Sequence, residues 1–309
     1  MILTVTINPC VHHYISYAEE SPPRMVVRSV GTDTNAGGKG FNAARVILRL
    51  GGEVAALGTA GGLSGEILRA CLKREGVAAQ IVETSARTRI STCVFEKTGQ
   101  RFREYLEEGR DATPEEAGEL RRSFDQMLPR AELVTLNGSS PGPVLDPLFG
   151  ELCRRARQAR KTVILDTYGN PVRFALGVPP HWIRANRQEL GESYGLDYDD
   201  DLRVLLKPGV EGIVLSDGRN EIRCVTHSRE LRVKPPPVAE INPVGSGDAL
   251  TGAFALALSR RLPLEEALRW GAAAGALNAS RLLVCEFTRE DWAALLGQVA
   301  VDSACPDQA

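Results

Sequence analysis

The sequence predicts an α/β protein whose mostly parallel sheet is covered by helices on both faces, with a small accessory β-sheet beside it. Three observations carry that reading. Beyond residue 113, β-branched runs and helix-length apolar patterns take turns, as in a parallel sheet with crossover helices. Between 79 and 106 the alternation lapses into successive strand patterns, which sets that stretch apart. The 309 residues, 43% hydrophobic and 25% charged, suffice for one large α/β unit or one unit with a small appendage, and no linker, repeat or low-complexity tract divides them.

Residues 2–7 form a β-branched run ended by Asn8-Pro9, a buried strand delivering its C-terminal end to a site. Residues 14–34 read as irregular and polar. A helix opens within Asn35-Ala36-Gly37-Gly38-Lys39-Gly40-Phe41-Asn42 and runs to Leu50, where Gly51-Gly52 stops it. Phe41, Ala44, Ile47 and Leu48 share its sheet-facing side. Residues 54–58 give a strand, and 64–75 a helix with Ile67, Leu68, Cys71 and Leu72 inward and Gly76 as its stop. Strands at 79–82, 91–96 and 101–106 follow, the last two joined across Thr98-Gly99. Together, segments from about 12–34 and 79–110 supply the accessory sheet within a single domain spanning 1–309. Thr113-Pro114-Glu115-Glu116 is a helix start with a capping box. After it come strand 133–137, helix 144–160, strands 163–166 and 182–184, helix 188–194 and strand 212–215. Two short strands within 221–233 and helices at 264–279 and 289–299 complete the pattern.

Composition excludes several function classes. A formal net charge of −2 gives no pull towards nucleic acid or an anionic membrane. The seven cysteines are odd in number, scattered and never spaced as CxxC, which predicts reduced thiols in a cytoplasmic protein without a disulfide frame or zinc site. The first residues lack a basic region and a long apolar run, so no signal peptide is expected, and no stretch reaches the length of a membrane span.

The chemistry concentrates in Asn242-Pro243-Val244-Gly245-Ser246-Gly247-Asp248, which runs into an Ala- and Leu-rich helix. Free backbone N–H groups at that helix start, with the positive end of its dipole, form an anion site. Asp248 sets a carboxylate beside it. Such a carboxylate is unfavourable next to bound phosphate unless it takes a proton from a hydroxyl attacking phosphorus. The plain alternative is an acidic residue in a helix's first turn. Two familiar Gly-rich motifs do not fit: Leu250 stands where a dinucleotide fingerprint needs its third glycine, and Gly37-Gly38-Lys39-Gly40 has no Ser or Thr after its lysine. That second run is nonetheless another anion-friendly helix start, with Lys39 and Asn42 in its first turn.

The two Gly-rich helix starts, in this order and separation, make the chain resemble the ribokinase-like (phosphofructokinase-B type) carbohydrate kinases over nearly its whole length. The similarity is greatest to the 1-phosphofructokinase and tagatose-6-phosphate kinase branch. The resemblance implies a three-layer α/β/α fold whose accessory sheet acts as a lid, with ATP and Mg²⁺ as cofactors. It implies Asp248 as catalytic base, with Gly245, Ser246 and Gly247 forming the anion hole. Asn186 and Glu189, in Asn186-Arg187-Gln188-Glu189, match the residues that hold the Mg²⁺–phosphate assembly, largely through water, although alone they would read as a helix cap and first-turn acid. Gly38, Lys39 and Asn42 match sugar-phosphate contacts, as do Arg89 and Ser139. Lys39 and Arg89 make sense as a cation pair for a phosphate already on the substrate. Asn186, Ser216, Gly218 and Asn278 fall where the family lines its nucleotide pocket.

One departure bears on the substrate. The branch places an aspartate that binds sugar hydroxyls shortly after Asn-Pro, and here His12 stands there. Neutral imidazole offers one donor and one acceptor; protonated, it adds positive charge and would favour a more anionic ligand. The implied function is ATP-dependent phosphorylation of a phosphorylated ketohexose of the fructose 1-phosphate or tagatose 6-phosphate type. The alternatives are a kinase of another sugar or a nucleoside, and a catalytically silent sugar-phosphate-binding protein. A lid sheet with one bare face also invites a homodimer.

Overall fold

The computed structural model describes residues 1–18 and 26–304, so the 19–25 part of the expected accessory segment lies outside the described residues. β1 (Ile2–Thr6) leads to β2 (Cys10–Tyr17), β3 (Gly31–Gly37), α1 (Lys39–Arg49), β4 (Val54–Ala60), α2 (Gly62–Arg74) and β5 (Ala79–Glu83). β6 (Arg89–Glu96) and β7 (Arg101–Leu106) form a hairpin. The alternating part runs α3 (Pro114–Met127), β8 (Leu133–Gly138), α4 (Leu148–Gln158), β9 (Thr162–Thr167), α5 (Asn170–Ala175), β10 (Trp182–Asn186), α6 (Arg187–Tyr194) and β11 (Gly212–Ser216). The remainder is β12 (Ile222–Thr226), β13 (Glu230–Lys234), α7 (Ser246–Ser259), α8 (Leu264–Ala279), α9 (Arg289–Leu296) and β14 (Ala300–Ala304).

Among the described residues, ten strands form the central sheet in the order β14-β13-β12-β11-β10-β9-β8-β1-β4-β5. From β5 to β11 every pairing is parallel, and β12 to β14 finish that side antiparallel. The chain leaves β1 for β4 on one side and later reaches β8 on the other. Strand order therefore reverses at β1, and ligands bind outside the carboxyl ends of strands at such a switch point. One face of the sheet packs under α1, α2, α7, α8 and α9 through residues such as Phe41, Leu68, Phe254, Leu268 and Trp292. Leu3 and Val5 of β1 face the other side and pack with Phe124 of α3 and Leu148 of α4. The result is the three-layer α/β/α arrangement. The accessory sheet has the order β3-β2-β6-β7. No helix among the described residues is long and apolar enough to cross a membrane.

Several elements differ from expectation for identifiable reasons. Residues 35–37 finish β3, and the helix starts only after Gly38, whose φ of 116° breaks the strand. Most of the supposedly irregular 14–34 segment that is described is strand, because β2 alternates His12, Tyr14 and Ser16 inward, a polar buried face that carries no hydropathy signal. β5 belongs to the central sheet, not the accessory one, since β4, α2 and β5 make a parallel crossover unit. Leu48 and Ile67 are 37% and 45% exposed, so they stand outside the packed faces of α1 and α2. The helix expected at 144–160 begins at Leu148, α9 stops at Leu296, and α5 and β14 were not anticipated. The capping box of α3 is formed as the sequence predicts, Thr113 Oγ1 accepting from Glu116 N at 3.2 Å and Glu116 Oε2 from Thr113 N at 2.8 Å.

Phe41 anchors α1, and with it Lys39 and Asn42, to the sheet: it is fully buried, with its ring over the Gly58 backbone of β4. Phe41→Ala should destabilise the fold by about 3–5 kcal/mol. Urea unfolding checks this as a lowered midpoint with an unchanged m-value.

Candidate active site

α7 begins against the sheet's carboxyl edge with Gly245 as its cap, in a left-handed conformation (φ 79°) open to glycine. Two asparagines clamp the turn before it. Asn242 Oδ1 accepts from Val244 N at 2.9 Å, and its Nδ2 donates to Leu282 O at 2.8 Å. Asn278 Nδ2 donates to Val244 O at 2.8 Å and to Ser246 Oγ at 3.0 Å, while its Oδ1 accepts from Cys285 N at 2.6 Å. Asn278 is thus buried behind the turn as a brace and does not line the cavity. The cavity itself, about 1140 Å³, opens in front of Ser246 and Gly247 and is walled by Asn186, Ser216, Gly218 and Pro236.

Asp248 follows one residue into the helix and is 7% exposed. Its Oδ2 accepts from Asn42 Nδ2 of α1 at 2.7 Å, so the two Gly-rich helix starts meet at this carboxylate. Burial pushes its pKa up to about 6; Lys39, Asn42 and Arg184 work against that rise, and the neighbouring Asp166 adds to it. A carboxylate tuned towards neutrality is suited to general-base work.

Two charged side chains of the site escaped the sequence reading. Asp166, fully buried at the end of β9, accepts from Lys39 Nζ at 2.9 Å, Arg184 Nη1 at 3.3 Å and Thr251 Oγ1 at 2.7 Å. Burial works to raise its pKa, but Lys39 and Arg184 outweigh that and hold it below the usual carboxylate range. Arg184 on β10 donates to Ser216 Oγ at 3.0 Å and occupies the space a side chain at residue 247 would need. Its guanidinium therefore lies on the backbone of the anion turn. The available signal was a charged residue closing each otherwise apolar strand, Asp166 after Val163-Ile164-Leu165 and Arg184 after Trp182-Ile183.

Lys39 is held by Asp166 and by Glu189 Oε1 at 2.5 Å, beneath the Tyr168 ring. Asn186 and Glu189 form a reciprocal capping box on α6, Asn186 Oδ1 accepting from Glu189 N and Glu189 Oε2 from Asn186 N, both at 2.9 Å. Asp166 and Glu189 thus converge on one cation, the Lys39 ammonium, an oxygen-donor environment that fits a hard divalent ion. No three His, Cys, Asp or Glu side chains among the described residues cluster as a metal cage.

Lys39 and Arg89 are not brought together as expected. Arg89, on β6, donates to Asn8 O at 3.0 Å and Pro9 O at 3.4 Å after β1. It lines a separate small cleft of about 30 Å³ with Asn8, Thr88, Arg87 and Arg110. Ser139 stands close by, its Oγ accepting from Asn8 Nδ2 at 3.1 Å. Cys10 links the two regions, since Arg89 lowers and Asp248 raises its thiol pKa while burial, the larger effect, pushes it up to about 12.

His12 is buried on the inner face of the lid, against Gly37. The Tyr14 hydroxyl accepts from Val284 N at 3.2 Å and shares a hydrogen bond with His12 Nδ1 at 3.1 Å. Nε2 points towards Glu104 Oε1, 4.0 Å away. Burial, with Arg45 and Arg89 nearby, lowers the His12 pKa to about 3. The protonated state considered from sequence is therefore absent at neutral pH, and His12 adds no charge to the site.

A sequence model of the pfkB family carbohydrate kinases matches residues 1–290. Phosphofructokinase-2 from Escherichia coli, solved in complex with potassium, is 26% identical, with a TM-score of 0.85 over 96% of this chain and 98% of its own. The same enzyme in complex with fructose-6-phosphate gives a TM-score of 0.83 at 26% identity over 96% of this chain and 98% of its own. A Thermotoga maritima protein described as a possible 1-phosphofructokinase shares the fold at 20% identity, with a TM-score of 0.88 over 98% of this chain and 99% of its own.

If the buried carboxylates are coupled as their contacts indicate, kcat/KM falls with unit slope below about pH 6, where Asp248 takes up a proton. Asp166→Asn removes a negative neighbour and frees Lys39, both of which lower the Asp248 pKa, so the acid limb should move to lower pH. His12→Asn should leave that limb where it is. A pH–rate profile of the three proteins measures both outcomes.

Proposed function

The chain belongs to the pfkB family of carbohydrate kinases, and we propose that it transfers the γ-phosphoryl group of ATP to a phosphorylated ketohexose of the fructose 1-phosphate or tagatose 6-phosphate type. The observation that carries this reading is Asp248: a buried carboxylate with a raised pKa, set in the first turn of a helix whose leading residues Ser246 and Gly247 line a nucleotide-sized cavity.

In the proposed mechanism the nucleotide lies in the large cavity, along Asn186, Ser216 and Gly218, with its phosphates against the turn at 245–247. The substrate hydroxyl gives its proton to Asp248 as it attacks the γ-phosphorus in line. Backbone N–H groups of the turn, with Lys39 and Arg184, take up the charge that develops on the transferring oxygens. Mg²⁺, held by Asp166 and Glu189 with Asn186 nearby, would neutralise phosphate charge when bound. Arg89 and Ser139 hold the phosphate already present on the sugar, while Gly38, Asn42 and His12 face the sugar itself. The lid excludes water from the reacting atoms. The retained Asp248 counts against a silent binding protein, and the Arg89 cleft against a substrate without a phosphate.

His12 supports a narrower reading of the sugar. A neutral imidazole has one donor and one acceptor, with Nδ1 already engaged by Tyr14, so it cannot grip two hydroxyls as an aspartate does. Fructose 6-phosphate, found bound to the E. coli relative, belongs on any substrate panel beside fructose 1-phosphate and tagatose 6-phosphate. We also propose a homodimer through the outer lid face, where Ile15, Tyr17 and Val94 are half-buried apolar groups. An inhibited form of the E. coli enzyme is tetrameric. Six described cysteines, all free and buried, fit a reducing cytoplasm.

Four variants test the assignment. Arg89→Ala should raise KM for the sugar phosphate about tenfold to a hundredfold, the cost of a charged hydrogen bond, with KM for ATP little changed. Lys39→Ala, because Lys39 sits with Asp166 and Glu189, should instead lower kcat and weaken the nucleotide. Asp248→Asn should lose about 10²–10⁴ in kcat with ATP binding retained; more than a tenth of wild-type kcat would end its role as base. Across the panel, His12→Asp should improve kcat/KM for at least one neutral-sugar phosphate.

A further inference from the structure

Asn42 and Asp248 do not meet in isolation. Arg45, one turn further along α1 and 1% exposed, donates from Nη1 to Asn42 Oδ1 at 3.0 Å. Its Nε and Nη2 donate to Glu75 Oε2 at 3.1 and 2.6 Å, just beyond α2, and Nη2 also donates to Ala36 O at 2.6 Å. Nη1 reaches Val284 O at 3.3 Å as well, and the Val284 side chain lies directly under Gly245. The guanidinium thus touches both supports of the anion turn, the Asn42–Asp248 contact and the segment beneath residue 245.

The direction of these hydrogen bonds matters. A guanidinium can only donate, so the atom of Asn42 that faces Arg45 must be the amide oxygen. The amide nitrogen is then turned towards Asp248, where it can donate to an ionised carboxylate. With the amide reversed, the oxygen would face Asp248 and favour its protonated form. Glu75, at the far end, fixes the guanidinium by a buried two-point contact. We infer that Arg45, held by Glu75, is a positioning residue for phosphoryl transfer: it fixes the Asn42 amide so that Asp248 is aimed and kept ready to accept a proton. Nothing in the proposed mechanism uses Arg45 directly, and it touches neither cavity.

This inference rests on Asp248 being the base. The other charged or titratable groups that act with Asp248 are Lys39 from α1, Asp166 from β9, Arg184 from β10, Cys10 from β2 and Cys285 after α8. None of them changes in the variants below. Arg45→Lys keeps the buried charge opposite Glu75 but cannot reach Glu75, Ala36 and Asn42 together. It should lower kcat at least about tenfold and move the acid limb of kcat/KM upward by about one pH unit, with KM for ATP little altered. Asn42→Ala should move the limb in the same direction. The double variant should move it no further, because Arg45 acts through Asn42. If Arg45→Lys does not fold, Glu75→Gln, which loosens the anchor without changing its shape, should shift the limb the same way.

A ¹³C carboxyl titration of Asp248, identified by its loss in Asp248→Asn, reads the same pKa without turnover. Upward shifts in both the carboxyl titration and the kinetic limb support the inference. A shifted carboxyl with an unmoved kinetic limb supports the positioning by Arg45 and overturns the base assignment instead. An unmoved carboxyl in a folded Arg45→Lys or Glu75→Gln protein overturns the inference, as does a double variant whose shift is the sum of the single ones.

Discussion

A shortage of cations in a buried place governs the site. Among the described residues, Asp166, Glu189 and Asp248 share the two cations Lys39 and Arg184 in a largely buried place. Removing charges from water costs several kcal/mol each and is offset only by close, well-aimed partners. Asp166 receives both cations and the Thr251 hydroxyl, and Glu189 receives Lys39 and the Asn186 N–H. Asp248 is left with a neutral amide as its hydrogen-bond partner. Burial raises its pKa, and the cations, spent mainly on the other two carboxylates, do not offset that rise. Asp166 is held as an anion, while Asp248 becomes a group that can exchange a proton near neutrality.

Such a distribution requires elements far apart in sequence to end at one edge. β1, β9 and β10 bring Asn8, Asp166 and Arg184 there, and α1 and α7 start there. Parallel strands joined by crossover helices put all these ends on the same side, and the reversal of strand order at β1 opens a crevice between them. α1 packs along α7, so a displacement of either moves Asn42 relative to Asp248. Anions arriving in the cavity would meet Arg184, which already lies on the anion turn, and compete with Asp166 and Ser216 for its donors. An anion bound there would thereby change the electrostatics at Asp248.

The lid follows a different design. Its inner face carries His12, Tyr14, Ser91 and Asn35, all buried, and Glu104, whose Oε1 lies 2.5 Å from Ser91 Oγ. A polar inner face allows hydrogen bonding to hydroxyls, yet it removes the apolar alternation by which a strand is recognised. Among the described residues the buried Asn35 amide makes no hydrogen bond of good geometry, though it lies beside His12 and raises that imidazole's pKa against the effect of burial, so a ligand able to pair with it would be favoured.

Much of this was legible in the sequence. Alternating strand and helix patterns fixed the class of fold, the Thr113 capping box fixed the start of α3, and Gly245, Ser246, Gly247 and Asp248 marked the anion turn before any coordinates. Those features are local: periodicity, caps and glycine turns depend on neighbours a few residues away. Tertiary structure alone decided which charges meet. Lys39 pairs with Asp166 and Glu189, 127 and 150 residues away, and not with Arg89. It also made His12 neutral and set Asn278 behind the turn as a brace. The pKa of a buried group, and the partner of a long side chain, depend on the local dielectric and on distances across the fold, and neither quantity exists until the strands have been placed side by side.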